Sequence, residues 1–332
     1  MRLGVLDVGS NTTHLLVVDA HRGGHPTPTH SEKNTLRLAE RINPDGELTE
    51  DGAEALVRAV TEARDAAIRL ECGELMAFAT SAVREATNAT EVLREVHERT
   101  GVDLEVLSGP DEARLTFLAV RRWFGWSAGR LLVLDIGGGS LEVAIGVDED
   151  PDVAISLPVG AGRLTRTRFS SDPPTRAELV DTRAWLDDQL AGLREQVLAD
   201  GAPDRVVATS KTFRSLARLT GAAPSAAGPR VRRTLTENAL NQLIAFISRI
   251  TSSDLAEVDG VSPRRAHQLV GGALVAQATM RALGVSELTL CPWALREGVI
   301  LRRLDHTDLD VHGEVWSQQV GPAGVGPAHR RA

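Results

Sequence analysis

Leu131–Val147 reads LLVLDIGGGSLEVAIGV, and the fold turns on how this stretch is interpreted. An apolar run ends on Asp135, three glycines and Ser140 follow, and a second apolar run starts at Leu141. Two β runs around a glycine turn read as a hairpin. Without Cβ atoms, the backbone N–H groups of Gly137, Gly138, Gly139 and Ser140 are free to converge on an anion. An acid at the strand end is placed to hold a hard divalent cation, and Glu142 lies just across the hairpin. The same residues also make an ordinary tight turn with an exposed acid, since short glycine motifs recur by chance.

A second copy weighs against chance. Leu3–Asp19, LGVLDVGSNTTHLLVVD, aligns under this stretch without a gap. Asp7 falls on Asp135, Gly9 on Gly137, Asn11 on Gly139 and His14 on Glu142. Two related halves are implied, each opening with a hairpin, at a period far too long for a solenoid. Two such turns facing one another across a cleft would hold a chain of phosphates from both sides. His14, a lone histidine in a strand, reads as a core or rim residue. Neither turn is a Walker A loop, and a strand rather than a helix follows the glycines, which disfavours a dinucleotide fold.

Between the hairpins, residues 49–70 carry apolar positions at helical spacing, and 75–80 form a short buried strand. A helix capped by Asn88 is expected over 88–99 and a strand over VDLEVLS. Ser108 and Pro110 open the helix PDEARLTFLAVRRWF with acids in its first turn. In the second half, a long helix is expected from about 176 to 198, a strand at RVVATS, helices at 235–250 and 263–283, and a last strand and helix at ELTLCP and ALREGVILRRL.

Within this frame Glu112 could take a proton from water, although acids at a helix start are ordinary and spacing alone favours that plain role. Arg84 follows the 75–80 strand at a β-to-α junction; it reads either as a phosphate clamp or as a surface partner of Glu85. Lys211–Thr212 lacks the glycines that a Walker A loop requires before it.

The composition narrows the classes. The chain has 332 residues, a net charge of −8, and 42% apolar residues. That size suggests about two domains, and the charge argues against a nucleic-acid binder. Nearly all the basic residues are arginine, which favours forked contacts to phosphate, and the absence of tyrosine excludes phenolic chemistry. Cys72 and Cys291 form no metal or disulfide pattern. No apolar run reaches the roughly 20 residues needed to span a bilayer, and the N-terminus has no signal-peptide pattern, so a cytoplasmic protein away from membranes is expected.

Seven motifs occur in order: LDVGSNTTHLLV, ATSAVREA, SGPDEARL, LDIGGGSLEV, LPVGAGRLT, RAHQLVGGALV and ALREGVI. Together they resemble the exopolyphosphatase / guanosine pentaphosphate phosphohydrolase (Ppx/GppA) family, from about residue 3 to residue 304. The resemblance implies an α/β fold of two RNase-H-like domains around a central cleft, as in the actin-like, sugar-kinase and Hsp70 superfamily. Domain I would span 1–124, with the helix 294–305 returning to it; domain II would span 125–293, and 306–332 would be a disordered tail.

The resemblance also implies roles. Glu112 matches a general base that activates water, which reverses the plain reading of its spacing. Asp135 and Glu142 match metal-associated acids, with Asp7 their counterpart in the first hairpin. Gly137, Gly138, Gly139 and Ser140 match one phosphate loop; Gly9, Ser10, Asn11 and Thr12 match the other; Arg84 matches a phosphate-binding arginine. The implied activity is Mg²⁺-dependent hydrolysis of the terminal phosphoanhydride of inorganic polyphosphate, with Mn²⁺ as the alternative ion. Guanosine pentaphosphate is the alternative substrate, and a homodimer the implied assembly. An actin-like kinase or ATPase, or a sensor without turnover, are the readings from other classes.

Overall fold

The computed structural model describes residues 1–311 apart from Arg22, with side chains as far as His306. Its strands are β1 (Arg2–Val8), β2 (Thr12–Asp19), β3 (Pro28–Thr35), β4 (Glu74–Ala79), β5 (Leu104–Val106), β6 (Leu131–Ile136), β7 (Leu141–Gly146), β8 (Val153–Leu157), β9 (Arg205–Ala208), β10 (Thr234–Thr236) and β11 (Glu287–Leu290). They form two sheets, ordered β3-β2-β1-β4-β5 and β10-β11-β9-β6-β7-β8.

The sheets repeat one plan. In the first, β1–β2–β3 is an antiparallel meander, and β4 then β5 add on parallel to β1. In the second, β6–β7–β8 is the meander, β9 and then β11 add on parallel, and β10 closes the edge. Even the hairpin details agree: Gly9 N–H donates to Thr12 O at 3.0 Å and Gly137 N–H to Ser140 O at 2.9 Å. This is the expected α/β architecture with its RNase-H-like sheet built twice.

The helices are α1 (Glu50–Arg69), α2 (Ser81–Arg84), α3 (Ala89–Thr100), α4 (Gly109–Phe124), α5 (Ala161–Arg168), α6 (Arg176–Gln189), α7 (Leu193–Val197), α8 (Ser210–Leu219), α9 (Glu237–Ile247), α10 (Ser252–Ala256), α11 (Leu269–Leu283) and α12 (Leu295–Val311). Side-chain oxygens of Thr49 and Ser108 cap α1 and α4, each accepting from the amide three residues on. One face of the first sheet packs on α1, where Leu56 and Val60 meet Leu6 and Val17; on the other face Ile300 of α12 meets Leu3, Val5 and Phe78. The second sheet has α5, α8 and α11 on one face.

Its other face receives α4, whose Ala113, Phe117 and Val120 lie on Leu131, Val133, Ala144 and Val207. Burial of a side chain such as Phe117 contributes about 1.5–3 kcal/mol. Leu115, from the same helix, packs instead into the cluster of α12 and the first sheet. Helix α4 therefore sits between the halves. Its crossing with α12 is close: a Cβ on Gly298 would lie 1.9 Å from the Leu115 carbonyl oxygen.

Several local expectations change. The long helix expected over 176–198 is two helices, broken at Gly192, whose φ of 77° is in the left-handed region. Asn88 precedes α3 without capping it; its amide instead exchanges two 2.9 Å bonds with the Leu48 backbone. Helix α12 continues to Val311, so 306–311, expected in the disordered tail, are helical, since no glycine or proline intervenes before Gly313. Residues 312–332 of that expected tail lie outside the described residues. No helix among the described residues is long and apolar enough to cross a membrane.

Candidate active site

The two glycine turns meet. A Cβ on Gly138 would lie 3.0 Å from Asn11 Nδ2, and one on Gly139 would lie 2.4 Å from Ser81 Oγ. Ser10 Oγ and Ser81 Oγ are 2.9 Å apart, and Asn11 donates to Gln268 Oε1 at 3.3 Å.

The second turn is held from behind. The amides of Gly160, Ala161 and Arg163, at the start of α5, donate to the carbonyls of Gly139, Gly137 and Gly138 at 3.1, 3.0 and 2.9 Å. In a trans peptide the C=O and the next N–H point in opposite directions, so fixing these carbonyls on α5 turns the following N–H groups away from it. A turn whose N–H groups are left clear in this way suits an anion. The approach demands glycine at 160, where a Cβ would lie 2.3 Å from Gly139 C and 2.4 Å from Ser140 N.

A cavity of about 370 Å³ opens beside both turns. Asp7, Glu112, Asp135 and Glu142 line it together with Gly9, Ser10, Asn11, Thr12, Gly137, Gly138 and Ser140. His14 is a rim residue here, bonded to Ser31 Oγ at 2.7 Å. The same walls carry Lys33, Lys211, Arg214, Arg265 and Arg296. Nε of Arg214 is buried with no hydrogen-bond partner. Arg296 stands 3.8 Å from Asp7.

The four acids share one electrostatic problem. Burial pushes Glu112, only 7% exposed, up to about 7, against the opposing pull of Arg84. Burial lifts Asp135 to about 6 although the Thr209 hydroxyl bonds its carboxylate. Glu142 is raised well above the usual carboxylate range, first by burial and then by repulsion from Glu112 and Asp135; Ser156 Oγ donates to it at 2.9 Å. Asp7 is also raised by burial, with Arg296 pulling the other way. Acids shifted toward neutrality inside a cleft are a mark of a reacting site.

Two expected residues sit differently. Arg84 bonds the Glu112 carboxylate and donates to Leu107 O at 2.8 Å, so it contacts the acid and does not line the cavity. Gly139 is buried against Ser81 and takes no part in the lining. Lys33, Arg214, Arg265 and Arg296 are cations of this wall that the sequence reading did not single out. One sequence signal was open: Ala-Thr-Ser occurs at 79–81 and again at 208–210, at the ends of β4 and β9. The second copy leads straight to Lys211 and Arg214.

The donor set suits a hard cation, being carboxylate oxygens alone. No group of three or more His, Cys, Asp or Glu among the described residues is gathered tightly enough to hold a metal by itself. An ion bound by one or two carboxylates and completed by substrate phosphates fits that arrangement, which is how Mg²⁺ is commonly held.

The model of the Ppx/GppA phosphatase family matches residues 17–307. The chain belongs to the Ppx/GppA phosphatase family. This Ppx/GppA chain is 65% identical over 305 residues to Exopolyphosphatase 1 of Mycobacterium tuberculosis, covering 92% of the chain and 89% of that relative. Exopolyphosphatase 1 of Mycobacterium leprae is 64% identical, with 92% and 90% covered. Among solved structures, the Aquifex aeolicus PPX-GPPA enzyme is 27% identical with a TM-score of 0.75, covering 91% of this chain and 99% of that one. An exopolyphosphatase crystal structure from Cytophaga hutchinsonii matches the fold with a TM-score of 0.82 at 24% identity, covering 92% and 98%.

Proposed function

We propose that this Ppx/GppA chain is an exopolyphosphatase that hydrolyses the terminal phosphoanhydride of inorganic polyphosphate. One observation carries the reading of the site: an acid lifted to about neutrality, Glu112, shares a cavity with both glycine turns and a set of cations suited to a polyanion. The turns receive the terminal phosphates on the N–H groups beyond Gly9 and Gly137, whose own N–H groups are spent on Thr12 O and Ser140 O, and Arg214, Arg265 and Lys211 balance the charge behind them. Glu112 orients a water in line with the terminal phosphorus and accepts its proton. The new P–O bond forms as the bridging P–O bond breaks, and the electron pair leaves on the shortened chain. Position and electrostatics provide most of the rate gain in such a scheme.

Asp135 and Glu142, with Asp7 opposite, are the residues that would hold Mg²⁺, or Mn²⁺ in its place. When bound, such an ion neutralises charge on the phosphoryl oxygens. The acids are those whose mutual repulsion a cation would relieve.

The deciding experiment is Glu112→Gln. Phosphate release from polyphosphate should fall by about 10²–10⁴-fold in kcat with KM little changed. Full activity in that variant would remove Glu112 from the base role.

A second substrate has its own support. A neighbouring cavity of about 430 Å³ shares Asn11 with the first, and Phe169, Ile250, Arg166 and His267 line it. It has room for a nucleoside, which favours guanosine pentaphosphate as the alternative substrate. Release rates on short polyphosphate, long polyphosphate and guanosine pentaphosphate, measured side by side, separate the two. We also read the protein as a cytoplasmic homodimer: both cysteines are free thiols, which suits a reducing compartment, and the dimer follows the family resemblance. Light scattering tests the assembly.

A further inference from the structure

Helix α2 is a single turn, yet three of its contacts reach different parts of the site. Ser81 packs on Gly139 and bonds Ser10; Arg84 holds the Glu112 carboxylate; Glu85, the residue after α2, pairs with Arg163. Arg163 belongs to α5, on the opposite half of the molecule. Its backbone N–H donates to Gly138 O and its Nε to Gly139 O, both at 2.9 Å. A continuous path of charge-assisted bonds therefore runs from the second glycine turn through Arg163 and Glu85 to the turn that aims Arg84 at Glu112.

We propose that Glu85 and Arg163 are positioning residues: their ion pair fastens α2 to the second glycine turn and so sets the Arg84 guanidinium against Glu112. Neither residue lines the cavity, so neither is assigned a contact with substrate. Glu85 and Arg163 are 36% and 26% exposed at their side chains. Glu85 is the exposed partner, so neutralising it should cost little folding stability and be read in turnover and not in unfolding. Small displacements of a reacting group are costly to rate even when binding survives. The inference rests on the reading of Glu112 as the base.

The test is a double-mutant cycle on polyphosphate hydrolysis with Glu85→Gln, Arg163→Gln and both together, each checked by thermal unfolding. Glu85→Gln should lower kcat about tenfold with an unchanged unfolding midpoint. Arg163→Gln should cost at least as much, because it also loses the bond to Gly139 O. The double variant should be no worse than Arg163→Gln alone, as coupled partners behave. Glu85→Asp should recover part of the loss, and it keeps the question open to refutation should Arg163→Gln fail to fold. Wild-type rates in Glu85→Gln, or strictly multiplicative losses in the double variant, would overturn the proposal. Glu112→Gln run in parallel distinguishes the failures: if it stays active, the base assignment falls, whereas if it is dead while Glu85→Gln is normal, only the coupling falls.

Discussion

Asp7 faces His14 across the first hairpin in the same register in which Asp135 faces Glu142 across the second. The duplicated device differs at one partner: an imidazole bonded to Ser31 on one side, a carboxylate bonded to Ser156 on the other. Acidity is thereby concentrated in the second hairpin, beside Glu112.

The first prediction concerns rate against pH. With Glu112 lifted to about 7 by burial, the base form is scarce in mildly acidic solution. The kcat/KM for polyphosphate should rise with pH through about 7 and fall about tenfold per unit below it. A profile flat from pH 5 to 8 would contradict the assignment. Stopped-time phosphate assays across that range decide it.

Stability should move the opposite way. Asp135 has a folded value of about 6 against an ordinary 3.8. The folded state therefore holds more protons than the unfolded state between those values, and this acid costs stability increasingly as pH rises through that window. Asp135→Asn should stabilise the protein by about 1–2 kcal/mol at pH 8, a figure discounted for the carboxylate's access to solvent, and by nothing near pH 3.5. Denaturant unfolding at the two pH values is the check, and a gain in stability should accompany a loss of activity.

Crowding at residue 160 gives a third. Gly160→Ala places a methyl group 2.3 Å from Gly139 C. Its φ of −77° is ordinary, so the cost is one of space and not of backbone conformation. The turn must move off α5, with a loss of about 1–3 kcal/mol in stability and a marked rise in KM for polyphosphate. Unchanged KM would mean that the second turn does not hold phosphate.

The exposed lysine on the cavity wall gives a fourth. Lys211→Ala should raise KM for polyphosphate by about three- to tenfold at low ionic strength, with the gap narrowing as salt screens the charge. A salt-independent difference would point to packing instead.

Much of the architecture was legible because it is local. A strand, an acid, a glycine turn and a second strand all fall within seventeen residues, and the gap-free alignment of the two copies reproduces the hairpin register found in space. Glu112 was legible only through family resemblance, since an acid in a first helical turn has a plainer explanation. Most of the cationic wall escaped for a different reason: Lys33, Arg265 and Arg296 come from β3, the approach to α11 and α12, and no spacing along the chain announces their meeting with Lys211 and Arg214, to which the second Ala-Thr-Ser alone points. Strand β3, PTHSEKNT, is polar and mostly exposed, so it carries no apolar alternation to reveal it. Arg84 stands at a β-to-α junction facing the cleft, and its guanidinium bonds the Glu112 carboxylate, a pairing that no local spacing reveals.

The placement of α4 has a consequence for recombination among relatives. Glu112 precedes the second hairpin in the chain, yet its helix rests on β6, β7 and β8. A chimaera joined at Ser108 would import a foreign first turn and a foreign arginine at 84 while leaving Glu112 with its native floor and carboxylate neighbours. One joined after Phe124 would separate the acid from both. Of the two splice points, the earlier one keeps Glu112 with the second hairpin it packs beside.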